Sequence, residues 1–220
     1  MKREIITTGD GSKTIQIKDW QEQYHSKHGA IQEAYHVFID SGLNLFKNQE
    51  LSILEIGLGT GLNAFITLIE AEKRNLTINY TGVEAFPVSN EELSQLNYLE
   101  ELNAVARKNE FNLIHNTPWE AQIEISVGFK IQKEKKFFKD IDVTNSIDLI
   151  YFDAFGARVQ PELWTVEIFS IMFKALKSGG YLVTYAAKGS VRRAMLEVGF
   201  LVEKLPGPPG KREMLRARKV

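Results

Sequence analysis

The sequence predicts an α/β protein built on a mostly parallel sheet, and three observations carry that expectation. Short apolar runs of strand length alternate with helical stretches from about residue 51 to residue 199. The last two extended runs have no helix between them, which requires an antiparallel hairpin on the sheet's edge. The composition, 44% hydrophobic and 25% charged over 220 residues, suits one globular unit with a substantial core.

The elements follow in order. "EIITTGDGSKTIQI" reads as a small N-terminal hairpin, two β-rich runs around Gly9-Asp10-Gly11, and "AIQEAYHVFIDSGLNLF" has helical spacing. "LSILEIG" is a buried strand and "GTGLNAFITLIEAEKRN" its helix. "INYTGVEA" is the next strand, followed by "SNEELSQLNYLEEL", a helix opened by a Ser or Asn cap. "AQIEISVGFKIQ" is extended, as one stretch or a strand pair. "SIDLIYFDAF" is a strand, and "WTVEIFSIMFKALKSGG" a helix closed by Gly179-Gly180. "YLVTYAA" and the helix "KGSVRRAMLEVG" lead to the strands "FLVEKLP" and "EMLRARK". The expected organisation is an extension over residues 1–45 that covers a ligand site, and a main unit over residues 46–220.

No apolar run approaches the roughly 20 residues that span a bilayer. The opening "MKREIITTGDGSKTIQ" has no apolar signal core, so no membrane role is expected. The absence of cysteine removes disulfides, thiolate metal sites and cysteine nucleophiles, and fits a cytoplasmic protein. Charge is uneven. Residues 188–220 hold nine Lys/Arg against three Glu, a balance of +6, which leaves −7 for residues 1–187 of a chain at −1. That asymmetry fits an anionic partner, or an edge strand studded with cations against aggregation.

Four stretches carry chemistry. "LEIGLGTG" places Glu55, Gly57, Gly59 and Gly61 between a strand and a helix, where glycines let a ligand approach the backbone. A dinucleotide fingerprint would need glycine at Leu62, and no lysine follows to make a P-loop. Glu84 ends the next strand, 23 residues after Gly61, where a carboxylate can accept both ribose hydroxyls. "YHSKHGAIQEAYHVFI" holds His25, His28 and His36, whose spacing matches no standard zinc pattern, so no metal is expected; Tyr24 and His25 stand where a preceding segment can fold over the ligand. "LIYFDAFGARVQPELWT" ends a buried strand on Asp153. A helix cap is the bland reading, but Asp153 lies eight residues before Pro161 and is better placed to position an amine and take its proton.

Taken jointly, "YHSKHGAIQEAYHVF", "LEIGLGTGLNA", "VEAFP", "IYFDAFGARVQPELWT" and "GPPGKREMLRA" resemble the methyltransferase domain of the bacterial tRNA-modifying MnmC family, in a stand-alone form. The resemblance implies a Rossmann-like fold and S-adenosyl-L-methionine (SAM) as donor. It implies methylation of the aminomethyl group on the wobble uridine of certain tRNAs, recognised through the anticodon stem-loop. Many members carry a fused FAD-dependent oxidoreductase; this chain stops at Val220, so only the transfer step is expected, with a functional link to an FAD-dependent or other aminomethyl-forming tRNA enzyme. The implied cofactor residues are Tyr24, His25, Glu55, Gly57, Gly59, Gly61, Asn63, Glu84 and Ala85, with Glu134 a candidate for the adenine. Asp153 is the implied catalytic acid–base group. Phe155 and Trp164 would stack a flipped-out base, and Lys211 and Arg212 would hold phosphates. Here Gln160-Pro161-Glu162-Leu163-Trp164 replaces the family's usual Asn-Pro before Met-Trp, and Pro208-Pro209 its Gly and Phe. Two rivals stay open: a SAM-type transferase acting on a small amine or polyamine, and a non-catalytic RNA-binding module.

Overall fold

The computed structural model describes residues 2–220. The chain opens with a three-stranded antiparallel sheet, β1 (Arg3–Thr7), β2 (Lys13–Ile17) and the two-residue β3 (Glu22–Gln23). A short helix, α1 (Ala30–Ala34), continues into a wide turn over Tyr35–Asp40, so the expected single helix from Ala30 to Phe46 is broken.

The centre is an eight-stranded sheet. Parallel β4 (Glu50–Ile56) and β5 (Thr77–Val83) are joined through α2 (Leu62–Glu72). Two one-turn helices follow, α3 (Asn90–Leu93) and α4 (Tyr98–Glu101), then α5 (Lys108–Asn116). The hairpin of β6 (Gln122–Ser126) and β7 (Phe129–Glu134) sets β7 parallel to β5. β8 (Ile147–Phe152) returns to the other side of β4, followed by α6 (Val166–Ala175), β9 (Leu176–Thr184) and α7 (Gly189–Val198). The antiparallel pair β10 (Leu201–Pro206) and β11 (Glu213–Arg218) closes that edge, giving the order β10-β11-β9-β8-β4-β5-β7-β6.

Period-2 alternation divides the core between the two faces of this sheet. Leu51, Ile53, Leu149 and Tyr151 pack with Phe65 of α2, while Leu54, Ile56, Ile150 and Phe152 pack with Phe169 and Met172 of α6. Because β4 reverses the strand order, its carboxyl end and that of β8 frame a crevice, the usual ligand position in such sheets.

Two further helix expectations are corrected. "SNEELSQLNYLEEL" starts at a Ser89 capping box but does not continue. Asn97 leaves helical geometry so that its amide can bond Lys13 N at 2.7 Å and Gly11 O at 3.0 Å, which pins the N-terminal hairpin to the main unit. The helix expected to close at Gly179-Gly180 ends at Ala175 instead. Gly179 N bonds Lys219 O at 2.7 Å and Lys219 N bonds Gly180 O at 3.0 Å, so edge pairing draws this segment into β9.

Candidate functional site

A cavity of about 720 Å³ opens over the carboxyl ends of β4, β5 and β8. Its floor begins with the turn after β4. Gly57 has φ +90°, and a Cβ there would meet the carbonyl oxygen of Asp153 at 2.7 Å. Gly59 has φ +49°, and its Cβ would stand 3.0 Å from the Tyr24 ring. Both positions therefore require glycine, for conformation and for space. Gly61 opens α2 behind the cavity wall.

Glu84, just past the end of β5, lines the cavity and steadies the turn. One carboxylate oxygen accepts from Gly59 N at 3.1 Å and the other from Phe86 N at 2.8 Å. Tyr24 and His25 approach from β3 and its following loop. The Tyr24 ring meets the edge of Phe155 at 5.0 Å between centroids, and Ala85 and Phe155 also line the cavity. His25 Nδ1 lies 2.9 Å from the Thr14 hydroxyl, and burial lowers its pKa to about 4, so the imidazole is neutral at neutral pH.

Asp153 sits one residue beyond β8. Its backbone N donates to Ile56 O at 2.9 Å, which ties the tips of β8 and β4 together beneath the cavity. The carboxyl is partly buried. Its pKa rises to about 7, first through desolvation and then through the nearby Glu33 carboxylate; a hydrogen bond from Asn63 and the charge of Lys211 oppose the rise. The helix-cap reading fails, because Thr165 caps α6.

Several expected residues lie elsewhere. Glu55 and Asn63 stand under the site rather than in it: strand alternation sends Glu55 to the α2 face with Ile53, where it is wholly buried. Trp164 is corrected from a stacking platform to a core residue. It is 5% exposed, packed against Phe152 and Phe169, and its Nε1 donates to Phe155 O at 2.8 Å. Lys211 is corrected from a free phosphate ligand to a cavity cation. Its Nζ lies 2.5 Å from Glu33 Oε1 and 3.8 Å from the Tyr185 ring centre. Arg212 is exposed and outside the cavity lining, with no salt bridge among the described residues. Glu134 pairs with Lys136 and does not line the cavity.

Glu33 and Tyr185 are site residues that sequence reasoning missed; the Tyr185 hydroxyl donates to Ala154 O at 2.7 Å. "AIQEAY" and "VTYAA" offered no signal beyond a polar group in an otherwise apolar run. Five carboxyl residues line the cavity. Glu22 is paired with Arg158, Glu33 with Lys211 and Glu84 with backbone N–H groups, and Glu162 is exposed. Asp153, at the crevice floor, has no salt-bridge partner among the described residues.

Among the described residues no His/Cys/Asp/Glu cluster is arranged to hold a metal, and His36 instead meets Pro206 O at 2.8 Å. No described helix is long and apolar enough to cross a membrane. The pairs Lys204–Glu213 and Arg216–Glu203 lie within the C-terminal segment and leave its +6 balance unchanged, whereas Lys211 pairs with Glu33 outside it.

The comparisons with known proteins fit this geometry. A family model described as S-adenosyl-L-methionine-dependent methyltransferase matches residues 98–220. The chain is 28% identical over 212 residues to the tRNA 5-methylaminomethyl-2-thiouridine biosynthesis bifunctional protein MnmC of Leptospira borgpetersenii, covering 89% of this chain and 32% of that one. It is 30% identical over 207 residues to the protein of the same description from Aromatoleum aromaticum, with 89% and 32% covered. The chain therefore spans about a third of the length of these curated relatives. Among solved structures, MNMC2 from Aquifex aeolicus aligns with a TM-score of 0.79 at 26% identity, over 99% of this chain and 70% of that one. Spermidine synthase from Thermotoga maritima aligns at 0.55 and 12% identity, over 99% and 71%, a likeness of fold alone.

Proposed function

Since the chain belongs to the family of S-adenosyl-L-methionine-dependent methyltransferases, we propose that it methylates the aminomethyl nitrogen on the wobble uridine of tRNA, giving the methylaminomethyl group. The observation that carries this reading is Asp153 at the floor of the crevice, its backbone carbonyl against Gly57 and its carboxylate held by a hydrogen bond from Asn63. The names of the relatives, which describe tRNA 5-methylaminomethyl-2-thiouridine biosynthesis, support a tRNA uridine as substrate, and the wobble position is what the family resemblance implies.

The residues present fit the cofactor. The two glycines leave a cradle that a Cβ would fill, and Glu84 offers a carboxylate at the next strand tip, suited to ribose hydroxyls. Tyr24, His25 and Ala85 complete the wall. Bound there, SAM supplies an electrophilic methyl group on a sulfonium. Everything else falls to the chain. An ammonium has no lone pair, so the amine must lose a proton to become a nucleophile. Asp153 as carboxylate attracts the ammonium, accepts its proton and orients the neutral amine. A pKa of about 7 leaves it partly ionised at neutral pH, which suits a group that gains and releases a proton in each cycle. Holding the amine in line is the larger part of the work.

Phe155, one of several aromatics that line the cavity, is the one assigned to stack on the base. For phosphates, Arg212 joins the exposed Lys188 and Arg193, since Lys211 is engaged inside. The work is placed in the cytoplasm, with an FAD-dependent or other enzyme supplying the aminomethyl tRNA.

A second reading, methylation or alkylation of a free amine or polyamine, is favoured by the five carboxyl residues around the cavity. Mass spectrometry of tRNA nucleosides after incubation with SAM separates the two. Loss of aminomethyluridine with a matching methylaminomethyl product supports the tRNA reading; turnover of free polyamine with unchanged tRNA overturns it.

A further inference from the structure

Directly behind Asp153 lies a buried polar group that the proposed chemistry does not use. Asn63, at the start of α2, donates from Nδ2 to Glu55 Oε1 at 2.8 Å and to Asp153 Oδ2 at 2.9 Å. The other oxygen of Glu55 accepts from the Tyr80 hydroxyl at 2.9 Å. Glu55 and Tyr80 are fully buried and Asn63 is 3% exposed. Three segments, β4, β5 and the start of α2, thus converge on one carboxylate at the tip of a fourth, β8.

We infer that Asn63, anchored by Glu55, is a positioning residue that clamps the Asp153 carboxylate for proton transfer. This inference rests on the role proposed for Asp153. Both amide hydrogens of Asn63 go to the two acids, and its Oδ1 is buried with no partner among the described residues. Turning the amide over would point that oxygen at the Asp153 carboxylate, so the donor bonds set its orientation. Glu55 suits an anchor. Burial pushes its pKa well above the carboxylate range, which favours the neutral form, while its oxygens still accept from Asn63 and Tyr80. A neutral anchor holds the amide without adding a second full negative charge behind the first.

The clamp fixes both geometry and proton affinity. A hydrogen bond donated to a carboxylate favours its ionised form, so the Asn63 bond opposes the desolvation of Asp153. The other groups facing Asp153 are Glu33 from α1, Lys211 from the β10–β11 loop and Tyr185 from beyond β9, with Glu55 acting through Asn63. Of these, Asn63 alone donates a hydrogen bond to the carboxylate. Its expected assignment as a cofactor ligand is a separate role, and the two are separable by experiment.

The test is a ¹³C carboxyl NMR titration of Asp153 in the full chain without cofactor or tRNA, its signal assigned by loss in Asp153→Asn. Asn63→Leu keeps the volume and removes both donors. The Asp153 midpoint should rise by roughly one pH unit, the effect of one charged hydrogen bond. The acidic limb of kcat/KM should rise by the same amount, with turnover recovering at alkaline pH. Glu55→Leu should also raise the midpoint, and Glu55→Gln less, because the glutamine oxygen still accepts from Asn63. An unmoved midpoint in Asn63→Leu overturns the inference, and so does loss of SAM affinity with the midpoint unmoved, which would make Asn63 a cofactor ligand. If Asn63→Leu does not fold, equal midpoints in the two Glu55 variants overturn it instead. Should the midpoints move as expected while no tRNA is methylated, the clamp stands and the substrate reading falls.

Discussion

The ammonium of Lys211 lies 3.8 Å above the Tyr185 ring and 2.5 Å from a Glu33 carboxylate oxygen, so the most conspicuous cation of the C-terminal loop faces inward. Its neighbour Arg212 faces solvent. Two adjacent basic residues therefore have different jobs, and single substitutions should separate them. Arg212→Ala should weaken tRNA binding and reduce its salt slope by about one, the release from one phosphate contact. Lys211→Ala should leave the salt slope alone. It removes the cation that favours ionised Asp153 and frees the Glu33 charge, so the Asp153 pKa should climb above its present value of about 7. Turnover at pH 7 should fall and recover as pH rises. Filter-binding slopes and pH–rate profiles for the two variants check this, and a salt slope lowered by Lys211→Ala would return that residue to the RNA surface.

The cofactor turn admits a direct measurement. Gly59→Val adds bulk where even a Cβ stands 3.0 Å from Tyr24, at a φ that a β-branched residue resists, so SAM binding should be lost. Glu84→Ala should weaken SAM by about 1–3 kcal/mol, the scale of charged hydrogen bonds. Part of that loss would come through the turn, because Glu84 also holds Gly59 N and Phe86 N. Wild-type affinity for both variants in calorimetry would remove the site from this end of the sheet.

Trp164 tests the reassignment of an aromatic. Its ring is wedged against Phe152, Phe169 and Tyr185. Trp164→Ala should cost about 3–5 kcal/mol of stability, the usual range for a buried large aromatic. Tight tRNA binding should survive wherever the variant stays folded. An unchanged melting temperature with lost tRNA affinity would restore the stacking role.

These corrections show which parts of the molecule were legible in the sequence. The parallel strands were, because "LSILEIG" and "SIDLIYF" are apolar on both faces and end in turn residues. Glu55 reads as a cofactor residue in the sequence, but strand alternation buries it, and its partners Asn63 and Tyr80, 8 and 25 residues away, are brought to it only by the fold. The α6–β9 boundary was hidden because "ALKSGG" suits a helix end; pairing with Lys219, far along the chain, decides it. Helix α5 went unread because it buries only Phe111 and Ile114 in nine residues. A tryptophan and a lysine beside such a site suggest stacking and phosphate contacts, but Trp164 packs into the core and Lys211 pairs with Glu33.

His115 gives a prediction about stability alone. It packs beneath Gly61, its Nε2 is buried without a partner among the described residues, and burial lowers its pKa to about 4. The unfolded chain takes up a proton near pH 6.5, and the folded chain does not until about 4. Stability from this residue is therefore present above 6.5 and lost as pH falls toward 4. His115→Leu removes the difference, so its advantage over the wild type should widen by up to about 1.4 kcal/mol per pH unit across that window. Denaturant melts at pH 7.5, 6 and 5 check it; a constant gap would mean that the imidazole is protonated in the fold.

Asp153 carries opposite consequences for turnover and for stability. Its pKa is raised from 3.8 to about 7, so the folded chain holds a proton that the unfolded chain has already released. Its contribution to stability is fully present below pH 3.8 and is lost as pH rises through 7. Above neutrality the fold carries a poorly solvated carboxylate, the form needed to take a proton from the amine. Asp153→Asn keeps the shape and discards the charge. Its melting temperature should equal or exceed that of the wild type at pH 8, while kcat falls by about 10²–10⁴-fold, the usual contribution of a positioned acid–base group. The wild-type rate should rise with pH through about 7. In the variant that limb should disappear, leaving only the slower gain as more substrate amine becomes neutral. Single-turnover rates from pH 6 to 9.5, set beside melting curves at the same pH values, measure both effects. Lower stability with near-normal turnover would make the Asp153 side chain a structural tie to Asn63 of α2, and the proton-transfer role would fall with it.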